Sequence, residues 1–123
     1  MANWINDAGQ VVGIADLTDG RHMGFLWQSG TMTPLKPVPG APCSNAYAIN
    51  NEGQAVGNAT DCHGHVQTTV LWDRGTPIGL QSLVGPTNLH MTEAWNINDR
   101  GEVAGVASLP DGTEHAVLLI PSA

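Results

Sequence analysis

Apolar residues fall in short stretches along this chain, each bounded by Asn, Asp and Gly, and the stretches recur. Three segments align: Trp4-Ile5-Asn6-Asp7-Ala8-Gly9-Gln10-Val11-Val12-Gly13, Ala48-Ile49-Asn50-Asn51-Glu52-Gly53-Gln54-Ala55-Val56-Gly57 and Asn96-Ile97-Asn98-Asp99-Arg100-Gly101-Glu102-Val103-Ala104-Gly105. Their shared core is I-N-x-x-G-[QE]-x-x-G, and the anchors Ile5, Ile49 and Ile97 stand 44 and then 48 residues apart. A second block follows each copy: His22-Met23-Gly24-Phe25-Leu26-Trp27, Val70-Leu71-Trp72, and His115-Ala116-Val117-Leu118-Leu119-Ile120. After the two tryptophans comes a third block, Gly30-Thr31 with Leu35 and Gly75-Thr76 with Leu80, at identical spacing.

This pattern predicts hairpins. Asn at the first turn position and Gly at the fourth fit a type I turn whose Gly takes the left-handed conformation, with Asn6, Asn50 and Asn98 bonding the turn backbone through their side chains. A strand ends at each Ile, and a second runs on from the Gly, as in Gln10 to Ala15. Turns at Asp19-Gly20, His63-Gly64 and Asp111-Gly112 lead to a third strand, and Gly-Thr turns lead to a short fourth. Gly13, Gly57 and Gly105 sit inside the second strands, which signals a bulge or a close backbone approach. The chain therefore reads as one all-β repeat domain over 1–123 of three tandem four-stranded antiparallel meanders, with repeats over about 1–44, 45–92 and 93–123. Units of this size resemble propeller blades, although rings have at least four. A β-trefoil, also built of three four-stranded repeats, is the alternative.

The combination of A-x-x-I-N-x-x-G-x-x-x-G with His22-Met23-Gly24-Phe25-Leu26-Trp27, and more loosely with His115-Ala116-Val117-Leu118, resembles the HAF-repeat family of predicted extracellular bacterial repeat proteins. The resemblance covers nearly the whole chain in three copies. It implies a propeller-like scaffold, usually exported, and no established chemistry. The chain departs from the pattern at Thr68 and Thr69, and at Ile120, where Trp is expected.

Charge narrows the partners. Four basic residues face eleven acidic ones, for a net charge of −7, which repels phosphate backbones and argues against nucleic acid. No apolar run approaches the length of a membrane helix, and no basic-then-apolar leader opens the chain. An extracellular or periplasmic location is the expectation.

Candidate chemistry is sparse. Asp61-Cys62-His63-Gly64-His65 is the densest polar cluster, but one turn lacks the paired ligand spacing of a structural zinc site, and no metal or other cofactor is implied. His22, His65 and His115 recur near the third strand, where a neutral imidazole bonding its turn explains them more economically than catalysis does. Trp27 and Trp72 read as core, one per unit. Trp4, Tyr47 and Trp95 flank the Ile of the first strand in imperfect register, and packing between units is favoured over sugar stacking. No G-x-S-x-G elbow is present, so no catalytic residue is named. The expected function is a non-enzymatic repeat scaffold presenting a ligand- or protein-binding surface. The alternative is lectin-like carbohydrate binding through Tyr47 and Trp95 with the His63 and His65 turn; a hydrolase with acids assembled only by the fold is weaker.

Two expectations concern assembly. With Asn50 paired to Gln54, Cys43 falls opposite Asp61, one residue from Cys62, so a single bulge brings the sulfurs into register for a disulfide in oxidising surroundings. Three blades leave both outer faces uncovered, which predicts a homodimer or other closed homo-oligomer about a twofold axis, with contacts around Trp4 and His115 to Ile120. A trefoil instead closes within one chain.

Overall fold

The three I-N-x-x-G segments are hairpin turns of one geometry. In the first, the Asn6 N–H donates to the Gln10 carbonyl at 3.0 Å and the Gly9 N–H to the Asn6 carbonyl at 3.1 Å. The turns at Asn50 and Asn98 repeat both bonds. Gly9, Gly53 and Gly101 lie at φ +79°, +79° and +77°, a conformation glycine adopts without a Cβ penalty. The asparagine does more than close its turn. Asn50 Oδ1 accepts from the N–H groups of Glu52 and Gln54 at 3.0 and 2.9 Å, while Nδ2 donates to Gln54 Oε1 and to the Asn98 carbonyl in the next turn, both at 2.9 Å. All four hydrogen-bonding capacities of the amide are thereby used, which matters because Asn50 is only 3% exposed. The Gln or Glu four residues after each Asn is the acceptor that completes the set.

The computed structural model describes residues 1–121. Strands β1 (Ala2–Ile5), β2 (Val11–Asp16), β3 (His22–Gln28) and β4 (Thr31–Leu35) form a first antiparallel meander. A second consists of β5 (Cys43–Ile49), β6 (Gln54–Thr60), β7 (Val66–Asp73) and β8 (Thr76–Gly79), followed by a 3-10 turn at Leu80–Leu83. The third sheet has three strands, not the four expected: β9 (His90–Ile97), β10 (Val103–Ser108) and β11 (Glu114–Leu119). Among the described residues the sheets close neither a barrel nor a propeller, and the barrel a β-trefoil requires is absent. The short fourth strands follow two-residue turns, Ser29-Gly30 at φ +50° and +83° and Arg74-Gly75 at +51° and +91°. Positive φ at both centres is what a type I′ hairpin demands.

The first strand of each sheet, β1, β5 and β9, carries a bulge at the same place, and β9 carries a second at Thr92. The pairing of β1 with β2 skips Asn3, that of β5 with β6 skips Tyr47, and that of β9 with β10 skips Trp95. The bulge drives a carbonyl toward the facing strand, and this is why Gly13, Gly57 and Gly105 stand there. A Cβ at these positions would overlap the carbonyl oxygens of Met1, Asn45 and Glu93 respectively. The close approach anticipated for these glycines thus comes from within each sheet, not from sheets stacked face to face.

Two registers differ from expectation. Val11 pairs Trp27, Ala55 pairs Trp72 and Val103 pairs Leu119, so Leu119, not Ile120, takes the tryptophan position. His22 faces Asp16 whereas His115 faces Ala107, the counterpart of Ala15. The two histidines are therefore one residue out of step and point to opposite faces, and His65 lies in a turn before its strand.

The sheets stack in chain order, each with a forward face on the rear face of the next. Val12, Leu26 and Leu35 of the first sheet pack on Ile49, Ala55 and Trp72 of the second. Val56, Leu71 and Leu80 of the second pack on Ala94, Ile97, Val103 and Leu119 of the third. The first seam is the better filled: Trp72 is fully buried, with its indole N–H donating to the Lys36 carbonyl at 2.8 Å. Trp27, at the equivalent position of the first sheet, lies on the rear face that no other described sheet covers and is 39% exposed, which corrects the expectation of one core tryptophan per unit. On the forward face of the second sheet, Asn58 and Thr69 are buried with Asn58 Oδ1 and Thr69 Oγ1 unpartnered, a cost in the second seam that the first does not carry.

Asn50→Asp tests the turn ladder. The substitution keeps both acceptor bonds but sets a buried carboxylate oxygen against Gln54 Oε1 and the Asn98 carbonyl in place of the donor. The expected loss is about 3 kcal/mol, read from the midpoint of urea unfolding.

Candidate functional site

The seam between the second and third sheets opens into a groove of about 950 Å³. Two substitutions of structure produce it. Leu119 replaces the indole that Trp72 provides in the first seam, and among the described residues no fourth strand covers the outer edge of β11. Leu71, Leu80 and Leu83 form one wall, Leu118 and Leu119 the other, and Arg74 and Asp99 stand among the charged lining residues. The free edge of β11 leaves backbone N–H and C=O groups pointing outward, and a row of such groups is a template for another strand. The apolar lining and the open edge together suit an extended peptide whose side chains alternate between groove and solvent. The groove depends on two features that differ from expectation, three strands in the last unit in place of four and the register that puts Leu119 at the tryptophan position.

A second feature lies along the first strands of the sheets. Tyr47 and Trp95, on successive bulges, bring their rings to 4.7 Å between centroids at an interplanar angle of 39°. The two rings meet across the second and third units, and Trp95 remains 47% exposed, so this contact between units is a partly open aromatic surface. Asn3 occupies the equivalent bulge of the first sheet, where its Nδ2 donates to the Ala46 carbonyl at 2.8 Å. Trp4 is 46% exposed and stands opposite Val12, outside this aromatic pair.

His63 and His65 are not brought to that pair. They occupy the exposed turn after β6, beyond the four strand pairs that separate it from the Tyr47 bulge. Asp61 organises this turn: Oδ1 accepts from the N–H groups of His63 and His65 at 2.8 and 3.1 Å, and Oδ2 lies 2.8 Å from His65 Nδ1. The N–H of His63 first, and the His65 side chain next, hold the Asp61 carboxyl down at about 2. His115 bonds within its own turn, with Nε2 at 3.1 Å from Thr113 Oγ1, while His22 Nε2 lies 3.5 Å from Thr60 Oγ1 of the second sheet.

Cys43 and Cys62 form a disulfide, with Cα atoms 5.2 Å apart. The route differs from the expected one. The Tyr47 bulge shifts Cys43 opposite Thr60, away from Asp61, so strand register alone leaves the two cysteines further apart. The turn supplies the remaining reach, with Cys62 at φ +73°. In the matching turns Gly20 and Gly112 donate to the carbonyls of Leu17 and Leu109, at positions Thr18 and Pro110 free of left-handed backbone. Cys62 adopts the left-handed conformation instead, and the disulfide holds it there. With its sulfur so engaged, Cys62 does not serve as a metal ligand, and among the described residues no three His, Cys, Asp or Glu side chains converge as a metal site.

Four further acids, Asp19, Asp99, Glu102 and Asp111, hold turns. Asp19 and Asp99 lie below the usual carboxylate range, each first through a backbone N–H, from Arg21 and Asn51 respectively. Asp111 and Glu102 are lowered first by the side chains of Thr113 and Asn98. These groups are ionised at neutral pH, the opposite of what a general acid requires. No known protein family, curated protein or solved structure matches the chain.

The disulfide closes a segment with a sequence separation of 19, for which the loss of unfolded-state entropy corresponds to about 3 kcal/mol. Urea unfolding with and without reductant is expected to show that difference, and thiol counting on oxidised, denatured protein to find no free thiol.

Proposed function

We propose that the chain is a non-enzymatic, propeller-like binding module that takes an extended peptide along the free edge of β11, in the groove between the second and third sheets. The observation that carries this reading is the contrast among the sheets. β4 and β8 fill in the first and second the place that stands open beside β11. Leu35 and Leu80, which directly follow or end those strands, are buried at 2% and 3% exposure. A peptide with an apolar residue at the corresponding place would complete the third sheet and fill the space Leu119 leaves. The resemblance to HAF repeats agrees with a propeller-like scaffold and with export, and the disulfide is compatible with an oxidising, non-cytoplasmic compartment. No helix among the described residues is long and apolar enough to cross a membrane.

The test uses the chain's own fourth strand as probe. A synthetic peptide with the sequence of residues 73–81, titrated to millimolar concentration into isotope-labelled protein, is expected to shift the amide signals of Val117, Leu118 and Leu119. Leu119→Trp, which supplies the missing indole, is expected to retain the fold and abolish the shifts. Unmoved β11 amides, or shifts that persist unchanged in Leu119→Trp, would sink the reading.

The Tyr47–Trp95 pair favours a second reading, carbohydrate binding on an aromatic surface. Saturable quenching of tryptophan fluorescence by a sugar identified on a glycan array, lost in Trp95→Ala, is the result that reading expects; a silent array removes it.

A further inference from the structure

The hydrogen bonds that join the turns run in one direction and are unfinished at both ends. Asn6 Nδ2 donates to the Asn50 carbonyl and Asn50 Nδ2 to the Asn98 carbonyl, both at 2.9 Å. Beside them, the Asp7 N–H donates to Asn51 Oδ1 at 2.7 Å and the Asn51 N–H to Asp99 Oδ1 at 2.8 Å. In the third turn Asn98 Nδ2 reaches only Glu102 Oε1, and the Asp99 N–H has no partner among the described residues. In the first turn the Asn6 carbonyl accepts only from Gly9 within its own turn, and Asp7 Oδ1 accepts from no neighbouring turn. Two donors are therefore free at one end of the stack and the two matching acceptors at the other.

The apolar faces repeat this complementarity. Ile5 is 63% exposed on the rear of the first sheet, whereas its counterparts Ile49 and Ile97 are buried at 2% and 5% beneath the preceding sheet. Leu118, on the forward face of the third sheet, is 56% exposed at the position where Leu71 helps to form the second seam. The two uncovered faces are the two halves of a contact that this chain already makes twice.

We infer that a second copy of this chain docks the rear of its first sheet on the forward face of the third, through Asn98 and Leu118 on one side and Asn6 and Ile5 on the other, and that two such contacts close a symmetric pair. The contact shares Leu118 and Asp99 with the lining of the β11 groove, so association is measured with no peptide present. A twofold pair needs each seam to be head-to-tail, third sheet to first, and so uses the same directional ladder as the internal seams. One difference makes this seam weaker than the internal ones. Within the chain Asn51 Nδ2 donates to Asp7 Oδ2 and Asp99 Oδ2, at 3.0 and 2.8 Å, and separates the two carboxylates. Between copies Asp99 meets Asp7 of the second copy with no amide between them.

That difference supplies the experiment. Sedimentation velocity of the full chain, from micromolar to submillimolar concentration, is expected to show a concentration-dependent dimer. Asp99→Asn, which places at the seam the amide that Asn51 provides internally and gives up the bond Asp99 Oδ2 accepts from Asn51 Nδ2, is expected to tighten association about tenfold, since at the seam it exchanges a like-charge contact for a hydrogen bond to a carboxylate. Leu118→Lys and Ile5→Lys, both at exposed positions, are expected to be monomeric with unchanged unfolding midpoints. A monomer at every concentration in both the parent chain and Asp99→Asn overturns the inference. Association that persists in both lysine variants also overturns it and assigns the contact to the edge of β11.

Discussion

The hydrogen bond by which Asn6 and Asn50 each reach the next turn's carbonyl is the contact on which the rest of the arrangement depends. Hydrophobic burial between sheets is non-directional, and flat faces of Val, Leu and Ala permit sliding. The amide removes that freedom. Because Asn50 Oδ1 is fixed by two N–H groups of its own turn, its Nδ2 points one way only, and the carbonyl it reaches sets the height and rotation of the third sheet. Aspartate, which accepts but does not donate, would form the same turn and leave the sheets uncoupled. The requirement for asparagine thus comes from between the units, although the motif reads as a local turn signal.

The local part of this structure was legible in the sequence because turn chemistry is written in adjacent residues and here appears three times. The hairpins at Asn6, Asn50 and Asn98, their left-handed glycines and the pairing of Cys43 with Cys62 all follow from it. What failed followed from bulges. One skipped residue at Tyr47 moved Cys43 from Asp61 to Thr60, and the signal that marks the bulge, Gly57, fixes its place but not its direction. The third-strand block of the last unit, Ala116-Val117-Leu118-Leu119-Ile120, is apolar at every position, so its hydrophobic pattern does not choose between registers one residue apart. Only the pairing with Val103 identifies Leu119 as the counterpart of Trp72. Of the candidate ligand residues, Tyr47 and Trp95 meet and His63 and His65 lie apart from them; meeting depended on equivalent bulges, while the histidines belong to a turn whose shape is governed by Asp61 and the disulfide.

The two internal seams differ in how well they are made, and the difference is concentrated in the third sheet. Trp72 fills the first seam and ties to Lys36 across it. In the second seam Leu119 leaves a groove, and Asn58 and Thr69 are buried with unpartnered oxygens. A binding surface is most economically placed where packing is already incomplete, because a ligand that fills such a groove gains burial the fold has left unused. Among the described residues the third sheet also has no fourth strand beside β11.

The residue after the turn asparagine shows why perfect repetition would serve this stack badly. Asp7 and Asp99 flank Asn51, and every acceptor they offer toward the middle is met by its amide or its N–H. Aspartate in all three places would line up three carboxylates at hydrogen-bonding distance, a repulsion that exposure to water lessens without removing. Asparagine in all three would forgo the stronger bonds that a carboxylate accepts. Alternation secures both, and Asp99 accordingly stays ionised below the usual carboxylate range through Asn51. Three units in alternation carry the same residue in the first and third turns, so among the described residues the aspartates stand in the outer turns and the asparagine between them.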